Sequence, residues 1–566
     1  MSATVRRAAG GLAGAAAMIA AVTVLSRVLG LGRWLAQAHA VGDGTIGDAY
    51  NAANLLPNVL FETAAGGALA GALIPVLAAP IARRDRREVD ATASATLGWT
   101  LLVLVPLAAL LAALAGPIGH AFGHTPDQAA TVRFFVLVFA VQVPMYGVAV
   151  LLYAVMQAHK RFFWPAFAPV MSSLVVIATY MVYGALAHGE RDDTSALQAG
   201  ALDVLAWGTT LGVAAMCLPM FVPVHRLGVR LRPSLTFPLG IGARVRALAF
   251  AGIAGVAAQQ LATVVVLAVA SSWGSKGTVT TYLYAQQVYL LPYAVLVVPL
   301  ATSTFPRLAA RAAAGDTAGF ARTSAATARG VVGAAVVGAS AVAAGAAAVA
   351  TLFRVLTGNP ATLQMGAAVT WMVPGLVGFA LLFHVSRCLY ALGRGRAAVR
   401  ANVVGWGVMS IGVVALVGVG VPDGRAVVSI ALASSVGMLA GGATAVAALA
   451  RAAGRDALHG LTRTAVVLGA GAVLGALAGR WLADTVQDLG GDGGWTAVGA
   501  AAGGAVVALV VVAAAALVAD RGLVGDVVHV ERSVPPAARS AAVQEAVTAA
   551  PDAASGSDGD PPEPRD

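Results

Sequence analysis

Apolar stretches of about twenty residues, separated by short polar connections, run along nearly the whole chain. A helix rising 1.5 Å per residue crosses a hydrocarbon core of about 30 Å in about that length. Fourteen such stretches are legible, near 11–39, 47–80, 92–116, 131–157, 163–186, 201–223, 243–272, 279–305, 326–353, 363–391, 399–420, 425–450, 462–484 and 493–519. The pattern predicts an all-α integral membrane protein with about 14 transmembrane helices. Arg6 and Arg7 precede an apolar run in the manner of a signal peptide. That run continues to about Ala40, too long for such a segment, so it reads as a retained first helix.

Composition agrees, with 59% hydrophobic and only 11% charged residues where soluble domains carry about a quarter. The connections alternate in charge. Arg83, Arg84, Arg86 and Arg87, then Lys160 and Arg161, then Arg226, Arg230, Arg232, Arg244 and Arg246 fall in every second loop, as do Arg307, Arg311, Arg322 and Arg329, Arg394, Arg396 and Arg400, and Arg451, Arg455 and Arg463. The intervening loops, among them Val41–Gly44 (VGDG), Gly189–Asp193 (GERDD) and Asp484–Gly494 (DTVQDLGGDGG), are acidic or polar. The positive-inside rule therefore predicts both termini in the cytoplasm, and it accounts for the net charge of +10 without nucleic acid. After about Asp520 the chain becomes polar, then rich in Pro, Ser and acid, as disordered tails are.

Two internal matches point to a duplication. Asn51–Leu60 (NAANLLPNVL) resembles Gln286–Leu296 (QQVYLLPYAVL), with Pro57 opposite Pro292, and Leu152–Arg161 (LYAVMQAHKR) resembles Leu389–Arg396 (LYALGRGR). The offsets are nearly equal, which predicts a six-helix lobe at 1–235 and a second at 236–455 in the same orientation. A helix pair at 456–519 and a cytoplasmic tail at 520–566 stand outside the repeat.

The polar residues that interrupt early spans of each half are the candidates for chemistry. An arginine near a bilayer centre costs about 2.5–3.5 kcal/mol, so Arg27 and Arg33 are expected to face a watered, protein-lined cavity and an anion. With them stand Asp48, Asn51, Asn54, Asn58 and Glu62, and in the second half Gln259, Gln260, Gln286 and Gln287. Pro57 and Pro292 each remove a backbone donor and kink their helices, and Gly30 and Gly32 offer hinges. Arg27 and Arg33 lie about 120° apart on an ideal helix, so they meet one ligand only if that helix bends. A plainer reading has Arg33 snorkelling to a surface, Arg27 paired with Asp48 or Glu62, and the amides holding helices together. His39, His120, His124 and His384 are scattered, and Cys217 and Cys388 lie far apart, so no metal site is expected. The chain carries no Walker loop, nucleophile elbow or catalytic acidic pair. A transporter rather than an enzyme is expected, without a cofactor and driven by a coupling ion, the membrane potential or the substrate gradient.

Ser26–Trp34 (SRVLGLGRW), Gly47–Leu60 (GDAYNAANLLPNVL), Gly66–Ala78 (GGALAGALIPVLA) and Arg161–Pro169 (RFFWPAFAP) resemble the MurJ (MviN) lipid II flippases of the MOP exporter superfamily. The resemblance spans the first twelve helices. It implies a bacterial plasma-membrane flippase that moves undecaprenyl-diphosphate-linked peptidoglycan precursor from the inner to the outer leaflet by alternating access, for cell-wall synthesis. It implies a central cationic cavity for the headgroup, a groove for the lipid tail at the last two helices, and cell-wall synthesis or division proteins as partners. Arg27, Arg33 and Asp48 match family positions. The chain departs from the family pattern at Phe61 and Glu62, at Gln286 and Gln287, and at Gly66, where basic or acidic residues are common, so a less positive cavity is expected. The alternatives are a flippase for another polyprenyl-linked glycan, a small-molecule exporter of the same superfamily, and a non-transporting cell-wall scaffold.

Overall fold

A computed structural model describes residues 21–22, 25–63, 67–190, 192–238, 241–418 and 425–519. Arg6, Arg7, Gly66, most of the loop at 418–424 and the tail at 520–566 lie outside the described residues. The described chain is helical, with no strand. In chain order the helices are α1 (25–40), α2 (Thr45–Phe61), α3 (Gly67–Ala82), α4 (Arg86–Ala113), α5 (Ala115–Phe122), α6 (Pro126–Ala140), α7 (Gln142–Ala158), α8 (Phe163–Ala187), α9 (Ala201–Cys217) and α10 (Phe221–Arg226). They continue as α11 (Ile241–Trp273), α12 (Thr278–Pro292), α13 (Val298–Ala313), α14 (Thr317–Thr357), α15 (Gln364–Ala391), α16 (Gly395–Gly418), α17 (Ala426–Ala453), α18 (Leu461–Gly490) and α19 (Gly494–Ala519). Among the described residues, 12 helical stretches are long and apolar enough to cross a membrane. The two further expected spans fall on α1 and on α2 with α3, whose described stretches are each shorter than the 18 residues such a window needs. The protein is a multi-pass membrane protein.

Helix ends follow local chemistry. Asp85, Thr125 and Asp316 accept hydrogen bonds from backbone N–H groups three residues on and so start α4, α6 and α14. Gly358, at φ 71°, adopts the left-handed conformation that ends α14. A π turn lies beyond each of Pro57 and Pro292: residues 62–63 follow α2, five residues past Pro57, and Tyr293–Val297 follows Pro292 directly. A π turn inserts one residue into the helical ladder and bends it. Gly338 of α14 makes room for this bend, since a side chain there would collide with the Pro292 ring.

Apolar side chains gather into separate cores. One joins α2, α6, α7, α8 and α9 around Tyr50, Phe135, Phe139 and Tyr183, and another joins α3, α4, α7 and the strap at 229 around Leu77, Leu97 and Leu152. The largest core of the second half runs from α11 and α12 through α14, α15, α16 and α17. Lipid offers no hydrophobic drive between helices, so close approach depends on small residues. A side chain at Gly442 would lie 2.6 Å from the carbonyl of Gly378, and one at Gly437 2.7 Å from that of Gly405. The pair α18–α19 packs on α14 in the same way, with Ser340 donating to the carbonyl of Ala472 at 2.9 Å. The strap between the halves is pinned to α4: Arg230 N–H donates to Asp90, and Trp99 Nε1 donates to the carbonyl of Leu235, both at 3.0 Å.

Candidate functional site

Between α1, α2, α8 and α9 on one side and α11, α12, α15 and α16 on the other lies a cavity of about 980 Å³. Its lining includes Arg27, Arg33, Asn51, Asn54, Asn58, Gln259 and Gln287 of the expected residues. On α1 the lining residues Ser26, Arg27, Gly30, Leu31, Arg33, Trp34 and Gln37 form a stripe about 160° wide at 100° per residue. Both arginines therefore reach one cavity from an unbroken helix, and the expected bend at Gly30 and Gly32 is not needed. An added Cβ at either glycine would meet nothing within 4 Å, so neither is there for close packing. Gly30 itself lines the cavity. Neither arginine forms a salt bridge with a described residue, so the pairing of Arg27 with Asp48 or Glu62 does not occur.

Arg33 shares the cavity wall with Tyr50, Tyr146 and Tyr180. Tyr50 is itself fixed by hydrogen bonds to the Tyr180 hydroxyl at 2.9 Å and the Thr209 hydroxyl at 3.0 Å.

Three expected residues are elsewhere. Asp48 leaves the cavity and docks on the second half, accepting hydrogen bonds from Gly277 N–H at 2.7 Å, Thr280 N–H at 3.0 Å and the Thr280 hydroxyl at 2.6 Å. Glu62 stands at the end of α2, where its N–H still bonds the carbonyl of Asn58, and it is not among the lining residues. Gln286 turns back along α12, where its amide donates to the Tyr282 hydroxyl at 3.4 Å. A basic residue that the sequence did not single out also lines the cavity. Arg387, in the last two turns of α15, lines the cavity with its guanidinium carbon 3.6 Å from the centre of the Phe383 ring. An arginine inside the span 363–391 was the available signal; it is masked by the basic cluster Arg394, Arg396 and Arg400 that follows it.

The end of the cavity beside the acidic loops is closed by hydrogen bonds. Asp43, only 1% exposed, accepts from the Thr362 hydroxyl at 2.7 Å and the Asn359 amide at 3.2 Å. Gly277, at φ 85°, brings the start of α12 so close that a side chain there would lie 2.6 Å from the carbonyl of Asp43. Beneath this layer Gln37 donates to Asn51 at 2.9 Å and Asn51 donates to Thr280 at 3.0 Å. At the rim Lys276 pairs with Asp192 at 2.6 Å, and Thr45 N–H donates to the same carboxylate at 3.0 Å. Partial burial raises the Asp192 pKa, but Lys276 and Thr45 outweigh it and hold the group below its ordinary value. The opposite end, near Arg27, Asn58, Pro169, Arg387 and Asn402, lies by the helix ends that carry the basic loops. No group of three or more metal-ligating side chains occurs among the described residues.

A family model described as "Lipid II flippase MurJ" matches residues 37–490. Arg27 and Arg33 lie just before that stretch, so their place in the site rests on the geometry. The chain is 29% identical over 307 residues to a probable lipid II flippase MurJ of Rhizobium meliloti (strain 1021), covering 52% of this chain and 54% of that protein. It is 28% identical over 307 residues to the lipid II flippase MurJ of Burkholderia cenocepacia, covering 51% and 55%. The matched stretch thus spans about half the length of these relatives. Among solved structures, a lipid II flippase MurJ in an inward closed conformation superposes with a TM-score of 0.66 at 17% identity, covering 87% of this chain and 97% of that one. An inward-facing multidrug resistance MATE family transporter of the MOP superfamily gives 0.61 at 13% identity, covering 76% and 94%. These two likenesses concern the fold.

Proposed function

The chain belongs to the MurJ lipid II flippase family, and from that premise we propose that it carries lipid II, the undecaprenyl-diphosphate-linked peptidoglycan precursor, from the inner to the outer leaflet for cell-wall synthesis. The observation that carries this reading is the cavity itself: Arg27, Arg33 and Arg387 line it with amides between them, and no described carboxylate is among the lining residues. Guanidinium groups present rigid forks of donors that match phosphate oxygens, and they act strongly where water is scarce. A cation exporter needs acidic groups in such a cavity, so the small-molecule alternative lacks its chemistry here.

The conformation fits one stage of alternating access. With the basic loops and both termini in the cytoplasm, the cavity reaches toward the cytoplasm and the Asp43–Asp48 layer closes it on the outside. A lobe at 1–235 and a lobe at 236–455 rock about this layer, and loading the headgroup from the inner leaflet precedes parting of the layer. Pro57 and Pro292 interrupt the two lobes at corresponding positions of the repeat. The helix pair at 456–519 offers its lipid-facing side to the polyprenyl tail. Gradient or potential supplies the drive, since one elementary charge crossing 100 mV gains about 2.3 kcal/mol. Cell-wall synthesis proteins are the expected partners of the tail at 520–566.

Depletion in the native host tests the proposal, with lipid II measured by its accessibility at the outer leaflet. The accessible pool is expected to fall while the inner pool accumulates. Unchanged accessibility and normal wall synthesis would overturn the lipid II reading and return the scaffold reading to the front.

A further inference from the structure

We infer that the wall built by the π turn after α12, by α15 and by α16 is a saccharide subsite, which stacks a sugar ring of the lipid-linked headgroup on its aromatic faces while Arg387 holds an oxyanion beside that ring. The inference rests on the flippase reading above. It begins from the way rings are connected along one wall. The first-half wall presents arginines and amides together with the rings of Trp34, Tyr50, Tyr146 and Tyr180. The second-half wall presents a connected row of rings: Trp406 to Phe379 at 6.1 Å between centres, Phe379 to Tyr293 at 4.5 Å, and Tyr293 to Phe383 at 5.4 Å. Arg387 closes the row over Phe383.

The rings of this row pack against the second-half cores, yet they are only partly buried and line the cavity. Polar groups stand among them: the Asn402 amide donates to the Ser386 hydroxyl at 3.2 Å, and both residues line the same space.

A sugar ring has an apolar C–H face that stacks on aromatic carbon and a rim of hydroxyls that needs amides, hydroxyls or guanidinium groups. A polyprenyl chain needs only the rings. Stacking on Phe383 fixes the guanidinium plane of Arg387 and leaves its N–H edge for an oxyanion carried next to the sugar. The wall therefore divides the labour with Arg27 and Arg33, which take the diphosphate.

The test compares two lipids on the full-length protein in nanodiscs by native mass spectrometry: undecaprenyl diphosphate, and lipid II with its sugars and peptide. Trp406→Leu and Phe379→Leu are each expected to weaken lipid II binding roughly fivefold, equivalent to about 1 kcal/mol, and to leave the bare diphosphate within about twofold of wild type. Arg387→Gln is expected to act in the same selective direction, whereas Arg27→Ala weakens both lipids. Trp406→Phe keeps a ring and should keep lipid II binding, which separates loss of stacking from loss of fold. Equal weakening of both lipids, or none, would overturn the subsite. A wild-type protein that binds neither lipid would instead overturn the flippase reading on which it rests.

Discussion

The carboxylate of Asp48 offers the sharpest handle on the closed side of the cavity. The start of α12 has Gly277 at its cap position and no capping side chain of its own. Asp48, from a helix more than two hundred residues upstream, instead accepts from two of its N–H groups, those of Gly277 and Thr280, and from the Thr280 hydroxyl. The positive end of the helix dipole favours a carboxylate there. Asp48→Ala removes the acceptor and leaves those donors unmet in the sealed state. A lost cap costs about 0.5–2 kcal/mol, and a bond to an ionised acceptor contributes about 1.5–3 kcal/mol. Water replaces part of this once the layer parts, so the sealed state is expected to lose about 3 kcal/mol, a factor of roughly 150 in the ratio of sealed to parted molecules. Spin labels at Ala196 and Leu363, both exposed and on opposite sides of the layer, read this ratio by double electron–electron resonance. The wild type should give one short distance, and Asp48→Ala a second, longer population of comparable size. An unchanged distance distribution in a folded variant would refute the latch.

The other expectations concern the cavity, the bend and the rim. Arg27→Ala and Arg33→Ala should each abolish complementation of a depleted host at normal expression, and Arg33→Lys should restore only part of it because a lysine lacks the planar fork; full activity of both alanine variants would return the arginines to a structural role. Gly338→Leu should drive a side chain into Pro292 and lower stability by about 1–3 kcal/mol, read as a fall in thermal midpoint in detergent. At the rim, the depressed pKa of Asp192 means that its pairing with Lys276 stabilises the fold fully above the ordinary value of 3.8 and is lost only as pH falls through the lower folded value. The label distances should therefore not change through this pair between about pH 5 and 8. Asp192→Asn should shift the ratio less than about fivefold, since both partners are half-exposed.

Fold class was legible because bilayer thickness imposes one length on every span, and length survives in a sequence without any contact being known. The windows at 163–186 and 201–223 accordingly fall on α8 and on α9 with α10. What the window method could not see were the interruptions. The apolar run at 131–157 is two helices, α6 and α7, joined at Val141, and the run at 279–305 is α12 and α13 joined by a π turn. Both joints keep apolar composition, so nothing in hydropathy marks them.

The site was legible in part, and the errors have geometric causes. Asp48, Asn51, Asn54 and Asn58 share one stripe of α2, so face alone could not separate them; depth does, because Asp48 stands at the height of the seal. Glu62 continues that stripe, in α-helical register with Asn58, yet it stands at the end of α2 and is not among the lining residues. Gln286 and Gln287 are one residue apart and so about 100° apart, and only Gln287 can face the space it shares with Leu290, Leu291 and Ala294. Arg387 was hidden for a different reason, since it lies seven residues before a basic loop and reads as the end of a span. Its place alters the charge argument. A site judged poor in cations for want of basic residues near Gln286 holds a third guanidinium from α15, opposite the two on α1.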